Sequence, residues 1–372
     1  MRKRVLALTM VFCLFLAACG GGAASTPEAT PTPASAVVPT PEPTPTPTPV
    51  PEPTPTPYNG PVNPLTGLPI DEAWVNARPI AIMLNNLKEA QPQLGQSQAD
   101  IIYEVLAEGG ITRMLGVYQT VEGVDTIGSV RSARTYYLEL ALGHDAVYLH
   151  AGGSPDAYDK IKAWKVTALD CVNGPYEGRT PGSNLFWRDA DRIKNNGSVH
   201  SVVTTGDTII EKFAGYSFRQ EHEEGYTYPQ TFVEDGTPVN GEAAGTITVP
   251  FSNYKTGVFT YDAERGEYLV SQYKKPYVDG NDGSQVAVTN VIILKTDCHV
   301  IPGDDAGRLS VDLTSGGEGW YACGGKLIPI TWSKADRSSP LVYTDKAGET
   351  ISLQQGRSYV NILPLNKDIT FE

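Results

Sequence analysis

Ala146-Val-Tyr-Leu-His-Ala-Gly-Gly-Ser-Pro155 decides the fold class. Ala146 to His150 is a short apolar run, read as a strand. Gly152, Gly153 and Ser154 then form a turn. Pro155 suits the opening turn of a helix through Trp164, because its fixed φ is already helical and the N–H it lacks has no intrahelical acceptor there. A strand, a glycine turn and a helix in direct succession predict α/β packing. Upstream, Pro79 to Asn85 (PIAIMLN), Ile101 to Leu106 and Ile111 to Gln119 read as strands, the last two separated by Glu108-Gly109-Gly110. Ser132 to Leu142 reads as a helix, with Tyr136, Tyr137, Leu140 and Ala141 on one face at i, i+3 and i+4. Thr205 to Phe213 reads as another.

The pattern changes after Ala214. Short β-branched and aromatic runs recur between Gly, Asn and Asp turns: Thr246 to Phe251, Val258 to Asp262, Tyr268 to Gln272 and Val286 to Lys295. They continue with Leu309 to Leu313, Trp320 to Cys323, Leu327 to Trp332 and Ser358 to Leu363. That spacing predicts a mainly-β part. The expected order is an α/β domain over residues 58–214 and an all-β domain over 215–372, α+β taken together.

The start of the chain reads as a secretory signal over residues 1–18. Arg2, Lys3 and Arg4 precede the apolar run Val5 to Ala18, which is shorter than the roughly 20 residues that span a bilayer. Leu16-Ala17-Ala18-Cys19 has the form of a bacterial lipobox. Cleavage before Cys19 and a diacylglyceryl group on its sulfur would anchor the protein stably, since two acyl chains hold where one does so marginally. Residues 19–57 are Gly, Ala and Ser followed by Thr-Pro repeats, a composition with too little apolar surface to offset its ordering entropy; it predicts a disordered tether. The expected location is extracytoplasmic, on the cell membrane, with the globular part outside.

Losing Arg2, Lys3 and Arg4 with the signal takes the formal net charge from −13 to −16. So acidic a chain repels phosphate backbones, which argues against nucleic acid as a partner. Protein partners have no sequence signature here. Cys171, Cys298 and Cys323 remain beyond the lipobox, an odd number, so at least one thiol stays unpaired within the chain. A bridge between Cys298 and Cys323 is one option, and small buried thiols are the other. There is no phosphate-binding glycine loop and no paired-His metalloprotease motif. The strings Ser271-Gln-Tyr-Lys274 and Lys255-Thr-Gly257 stand in the reverse order to that of penicillin-binding enzymes. The Asp/Gly strings near Asp279 and Asp304 lack the EF-hand spacing and read as turns.

Chemistry-bearing residues concentrate between Ala99 and Ser154. The stretch Gly128-Ser-Val-Arg-Ser-Ala-Arg134 is expected to turn into a helix whose opening carries Arg131 and Arg134, with Ser129 or Ser132 as cap. Cations there oppose the macrodipole by about 0.3–1 kcal/mol each, so negative charge is expected nearby. Either the protein's own Glu104 and Glu108 neutralise the arginines, or Arg113, Arg131, Ser132 and Arg134 bind an exogenous anion through guanidinium forks and free amides. Asp100, Glu104 and Glu108 share one strand face by parity, which predicts solvent or a polar cleft and suits acid–base work. With His150 they form the candidate acid/base or cation cluster, open to a divalent cation; no other cofactor and no dedicated metal site is expected. His150 ends its strand beside Gly152, Gly153 and Ser154, a loop where a ligand can approach backbone, although a lone histidine is more commonly structural. Trp187-Arg188 and Arg192 add cationic and aromatic character downstream.

Several of these segments together resemble the YerB-like lipoproteins: Asn63-Pro-Leu-Thr-Gly67, Arg78-Pro79, Ala99-Asp-Ile-Ile-Tyr-Glu104, Glu108-Gly-Gly-Ile-Thr-Arg113, Gly128 to Arg134 and His150-Ala-Gly-Gly-Ser154. Gly257 to Tyr261, Asn290-Val-Ile, Gly307-Arg-Leu and Gly356 to Pro364 resemble that family's C-terminal part. The resemblance spans nearly everything from Asn63 onward, and the family usually carries Pro where Ser129 stands. It implies an extracytoplasmic location and a two-part architecture, and it implies no reaction. Two readings of function follow: an envelope protein binding an anionic wall- or lipid-linked ligand, or an enzyme acting on phosphate-bearing envelope substrates.

Overall fold

In the computed structural model of this chain, strand Ser358–Pro364 lies between a strand of the first half and one of the second. It runs parallel to both, to Ile101–Leu106 on one side and to Asn290–Thr296 on the other. One mixed sheet of eleven strands therefore crosses from one half of the chain to the other. Away from Ser358–Pro364, the first half contributes Ile101–Leu106, Thr112–Tyr118, Ile80–Asn85, Val147–His150 and Ala168–Asp170 in spatial order. On the other side stand Asn290–Thr296, Gly317–Cys323, Lys326–Ser333 and Glu242–Ala243. Among the described residues every α-helix lies between Glu72 and Phe213, so the chain is an α/β half followed by a mainly-β half.

The structure describes residues 58–372. The expected signal, Cys19 and the Pro/Thr-rich tether lie outside the described residues. No described helix is long and apolar enough to cross a membrane.

The central strands of the sheet are covered on both faces, which is why they read as unbroken apolar runs instead of alternating ones. Ile80, Ile82 and Leu84 belong to one buried apolar cluster that continues through Ile209 and Phe213 to Ile247, Val249, Phe259 and Val270 of a second, antiparallel sheet. Ala81 and Met83 face the opposite way, toward helix Thr135–Gly143 through Tyr137, Leu138 and Ala141. The result is a layered sandwich whose central strands, Ile80–Asn85, Ile101–Leu106, Thr112–Tyr118, Val147–His150 and Ser358–Pro364, are buried at every residue.

That burial overturns one expectation. Asp100, Ile102 and Glu104 share a face as parity demands, but the face is under the second sheet and not in solvent. Glu104 is 0% exposed. Its carboxylate takes Lys255 Nζ at 2.7 Å, Thr112 Oγ1 at 2.6 Å, Asn86 Nδ2 at 2.9 Å and Tyr359 OH at 2.5 Å. Glu108 escapes the parity altogether, because the chain leaves the strand at Leu106 and turns at Glu108–Gly110, where Gly109 has φ +70°. Nor do Cys298 and Cys323 bridge; both are free thiols, as is Cys171.

A candidate anion pocket at the carboxyl ends of three parallel strands

Strands Ile80–Asn85, Val147–His150 and Ala168–Asp170 lie side by side and run parallel. In open α/β sheets, ligands enter the crevice beyond the carboxyl ends of such strands. Here segment 129–133 crosses those ends. Arg131 N–H donates to Met83 O, Ala151 N–H to Arg131 O, and Ala133 N–H to Gly152 O. The cross-links spend backbone groups that a helix would need for itself, so the helix opens only at Thr135, with Arg134 extended at its N-cap (φ −135°, ψ 152°). The expected crowding of Arg131 and Arg134 in a first helical turn is thus incorrect. Neither Ser129 nor Ser132 caps the helix, and the Gly128–Ser129 peptide is cis.

The arginines separate into two groups. Glu108 takes Arg113 Nη2 at 2.7 Å and Arg134 Nε at 3.1 Å, together with Arg134 Nη2. Burial pushes the Glu108 carboxyl up, but Arg113 and then Arg134 bring it below its ordinary value. Arg113 is 3% exposed and donates to Ser132 O at 3.0 Å. These two cations are held internally, by Glu108 and not by Glu104.

Arg131 has no ion-pair partner among the described residues. Its Nη1 donates to Val199 O at 2.8 Å, and its buried Nε has no acceptor. Desolvation, and then repulsion from Arg113 and Arg134, lower its pKa to about 10. Glu108 thus pairs with Arg113 and Arg134 and leaves Arg131 outside the pair. Arg188 is held by a neighbouring group: its Nη1 donates to Ser198 O at 2.9 Å, the carbonyl next to the one Arg131 holds, while its Nε pairs with the exposed Glu177.

Beside Arg131 opens a cavity of about 350 Å³, lined among others by Ser132, Gly152, Gly153, Tyr158, Asn173 and Arg188. The Ser132 and Gly153 amides have no acceptor among the described residues. Asp170, at the end of its strand, holds this wall together. It accepts from Gly152 N–H at 2.7 Å, Val172 N–H at 2.9 Å, Asn173 N–H at 3.2 Å and Tyr158 OH at 2.6 Å. Burial raises its carboxyl, and the Tyr158 and backbone donors outweigh that, leaving the pKa lowered.

The remaining candidates sit elsewhere. His150 is 1% exposed, shares its Nδ1 with Gly152 O at 2.8 Å, and has its pKa lowered chiefly by burial; it is not among the cavity-lining residues. Ser154 caps helix Pro155–Ala163, accepting from Ala157 N–H at 3.2 Å. Asp100 accepts from Asn63 Nδ2 at 2.9 Å and Gln119 N–H at 2.6 Å, and burial raises its pKa to about 6. Asp100, Glu104 and Glu108 thus have three separate sets of partners. Arg192 donates to the carbonyls of Ala90, Pro92 and His200, a structural tie. Sequence reasoning missed Asp170, Tyr158 and Asn173. The signal available was Thr167-Ala-Leu-Asp170 before Asn173-Gly174, a short strand closing on an Asx turn.

Family models for the N-terminal and C-terminal domains of "Protein of unknown function (DUF3048)" match residues 65–219 and 247–360. The chain is also 34% identical over 308 residues to "Putative lipoprotein YerB" of Bacillus subtilis (strain 168), covering 81% of this chain and 86% of that one. It belongs to the DUF3048 family. The crystal structure of Bacillus subtilis YerB superimposes with a TM-score of 0.69 at 29% identity, over 83% of this chain and 99% of that one. The resemblance read from the motifs is therefore a family relationship, and the two-part DUF3048 architecture coincides with the α/β half and the mainly-β half.

Proposed function

We propose that this protein is an extracytoplasmic envelope lipoprotein, held to the membrane through Cys19, whose α/β half binds an anionic wall- or lipid-linked ligand at Arg131. The observation that carries the binding reading is Arg131 itself. It is a partly buried guanidinium with no ion-pair partner among the described residues, beside an open cavity at the carboxyl ends of parallel strands. Partial desolvation without an ion-pair partner disfavours the charge, which supports a site for a negative partner. The anchoring reading is supported by the lipobox at Leu16 to Cys19 and by the lipoprotein name of the Bacillus relative. Binding is favoured over catalysis because Asp100, Glu104 and Glu108 engage other groups and none of them lines the cavity.

Native mass spectrometry of protein purified from its own membrane tests both halves of this reading. A co-purifying anion is expected in the wild type and absent in Arg131→Ala with the fold intact. Cys19→Ala is expected to leave the membrane fraction. Equal occupancy in Arg131→Ala, or no anion in either protein, would remove the binding site; Cys19→Ala staying with the membrane would remove the anchor.

A further inference from the structure

An anion on Arg131 accounts for one wall of the cavity only. At its mouth stand Val172 and Val199, 49% and 59% exposed, while Val130, Ala151 and Val202 are buried and line its inner surface. Single exposed valines are ordinary on a protein surface. Two that flank a cavity already holding an uncompensated guanidinium are a different case, because together they make a site with a charged end and an apolar end. The coupling is built into the backbone: Val199 supplies the carbonyl that fixes Arg131, so its side chain is held beside the guanidinium.

Resting on the anion reading above, we propose that the cavity takes an amphiphilic phosphomonoester, a single-chain alkyl or prenyl phosphate. Its phosphate sits between Arg131 and Arg188, and the first carbons of its chain cover Val172 and Val199. Phosphate fits better than carboxylate because two guanidiniums line the same cavity, each held by one of two adjacent carbonyls, those of Val199 and Ser198. A phosphate has three terminal oxygens to meet two forks; a carboxylate presents one edge to one fork. The Ser132 and Gly153 amides are available to the same anion. The volume, about 350 Å³, lies in the range of small-molecule sites.

The test is a titration series on the full-length lipoprotein in phosphatidylcholine nanodiscs, using inorganic phosphate, methyl, butyl and hexyl phosphate, and hexanol. The expected result is affinity rising roughly threefold to fourfold per methylene over the first carbons, as burial of each CH₂ implies, with hexanol not binding. Val172→Ser is expected to flatten the series and leave inorganic phosphate unchanged; Arg131→Ala is expected to lose all of them. Val172 is exposed, so the variant keeps its fold, which a melting curve verifies. A flat series with inorganic phosphate still bound overturns the amphiphile and leaves the anion reading standing. No binding by any phosphate overturns both, as does hexyl phosphate binding equally to Arg131→Ala. Hexanol binding as well as hexyl phosphate overturns the phosphate.

Discussion

Replacing Lys255 with Met, a side chain of similar reach, is expected to destabilise the globular part by about 3–5 kcal/mol, the usual consequence of removing one partner from a buried pair. Lys255 and Glu104 are each 1% exposed at the side chain and stand 2.7 Å apart. In water their attraction at that distance is only about 1.5 kcal/mol, but each ion costs several kcal/mol to bury alone. Without Lys255, Thr112, Asn86 and Tyr359 still donate to Glu104. Hydrogen bonds to a charged group contribute about 1.5–3 kcal/mol each, yet three neutral donors leave the anion uncompensated. Lys255→Met with Glu104→Gln removes both charges and is expected to recover at least about 2 kcal/mol of the loss. Urea unfolding followed by tryptophan fluorescence measures both variants, and the single variant should melt roughly 6–10 °C lower. The pair joins a strand of the first half to a turn of the second, and the central sheet spans both, so one transition is expected. A loss below about 1 kcal/mol for Lys255→Met, or a double variant no better than the single one, would refute the reasoning.

His144 is buried with Nε2 2.7 Å from Tyr103 OH, and burial lowers its pKa to about 3. The unfolded chain takes up that proton near pH 6.5 and the folded chain does not, so stability falls as pH drops through 6.5 toward 3; His144→Gln is expected to remove up to about 3 kcal/mol of the acid loss between pH 6.5 and 4, measured by urea titration at each pH. Arg131→Met is expected to gain about 1 kcal/mol at neutral pH in anion-free buffer, because the charge it removes is disfavoured below pH 10; a loss of that size would make Arg131 a structural strut. Ser154→Ala is expected to cost about 1 kcal/mol through the lost cap, read from thermal unfolding, while anion binding is unchanged.

Much of the secondary structure was legible in the residues. Ile101–Leu106 has the expected ends, and Pro155 opens its helix with Ser154 as cap. The misread helix start at Ser132 has a physical cause: propensity favours continuing a helix upstream through Ser-Ala-Arg, but Met83, Ala151 and Gly152 offer that segment stronger backbone partners from strands distant in sequence.

The strands at Ile80–Asn85, Ile101–Leu106 and Val147–His150, the helix opened by Pro155, the change to mainly-β structure after Ala214 and the family motifs were determined by local pattern alone, because periodicity and turn chemistry act over a few residues. Strand Ala168–Asp170 and helix Ala190–Asn196 were not read. Which face of Ile101–Leu106 meets solvent, which arginines Glu108 neutralises and which one is left beside a cavity were decided only by tertiary structure. Parity places Glu104 on a face but does not say what covers it; the second sheet and Lys255 do, from about 150 residues further along the chain. Charge pairing is equally non-local, and the isolation of Arg131 exists only once segment 129–133 is pinned across the ends of the strands.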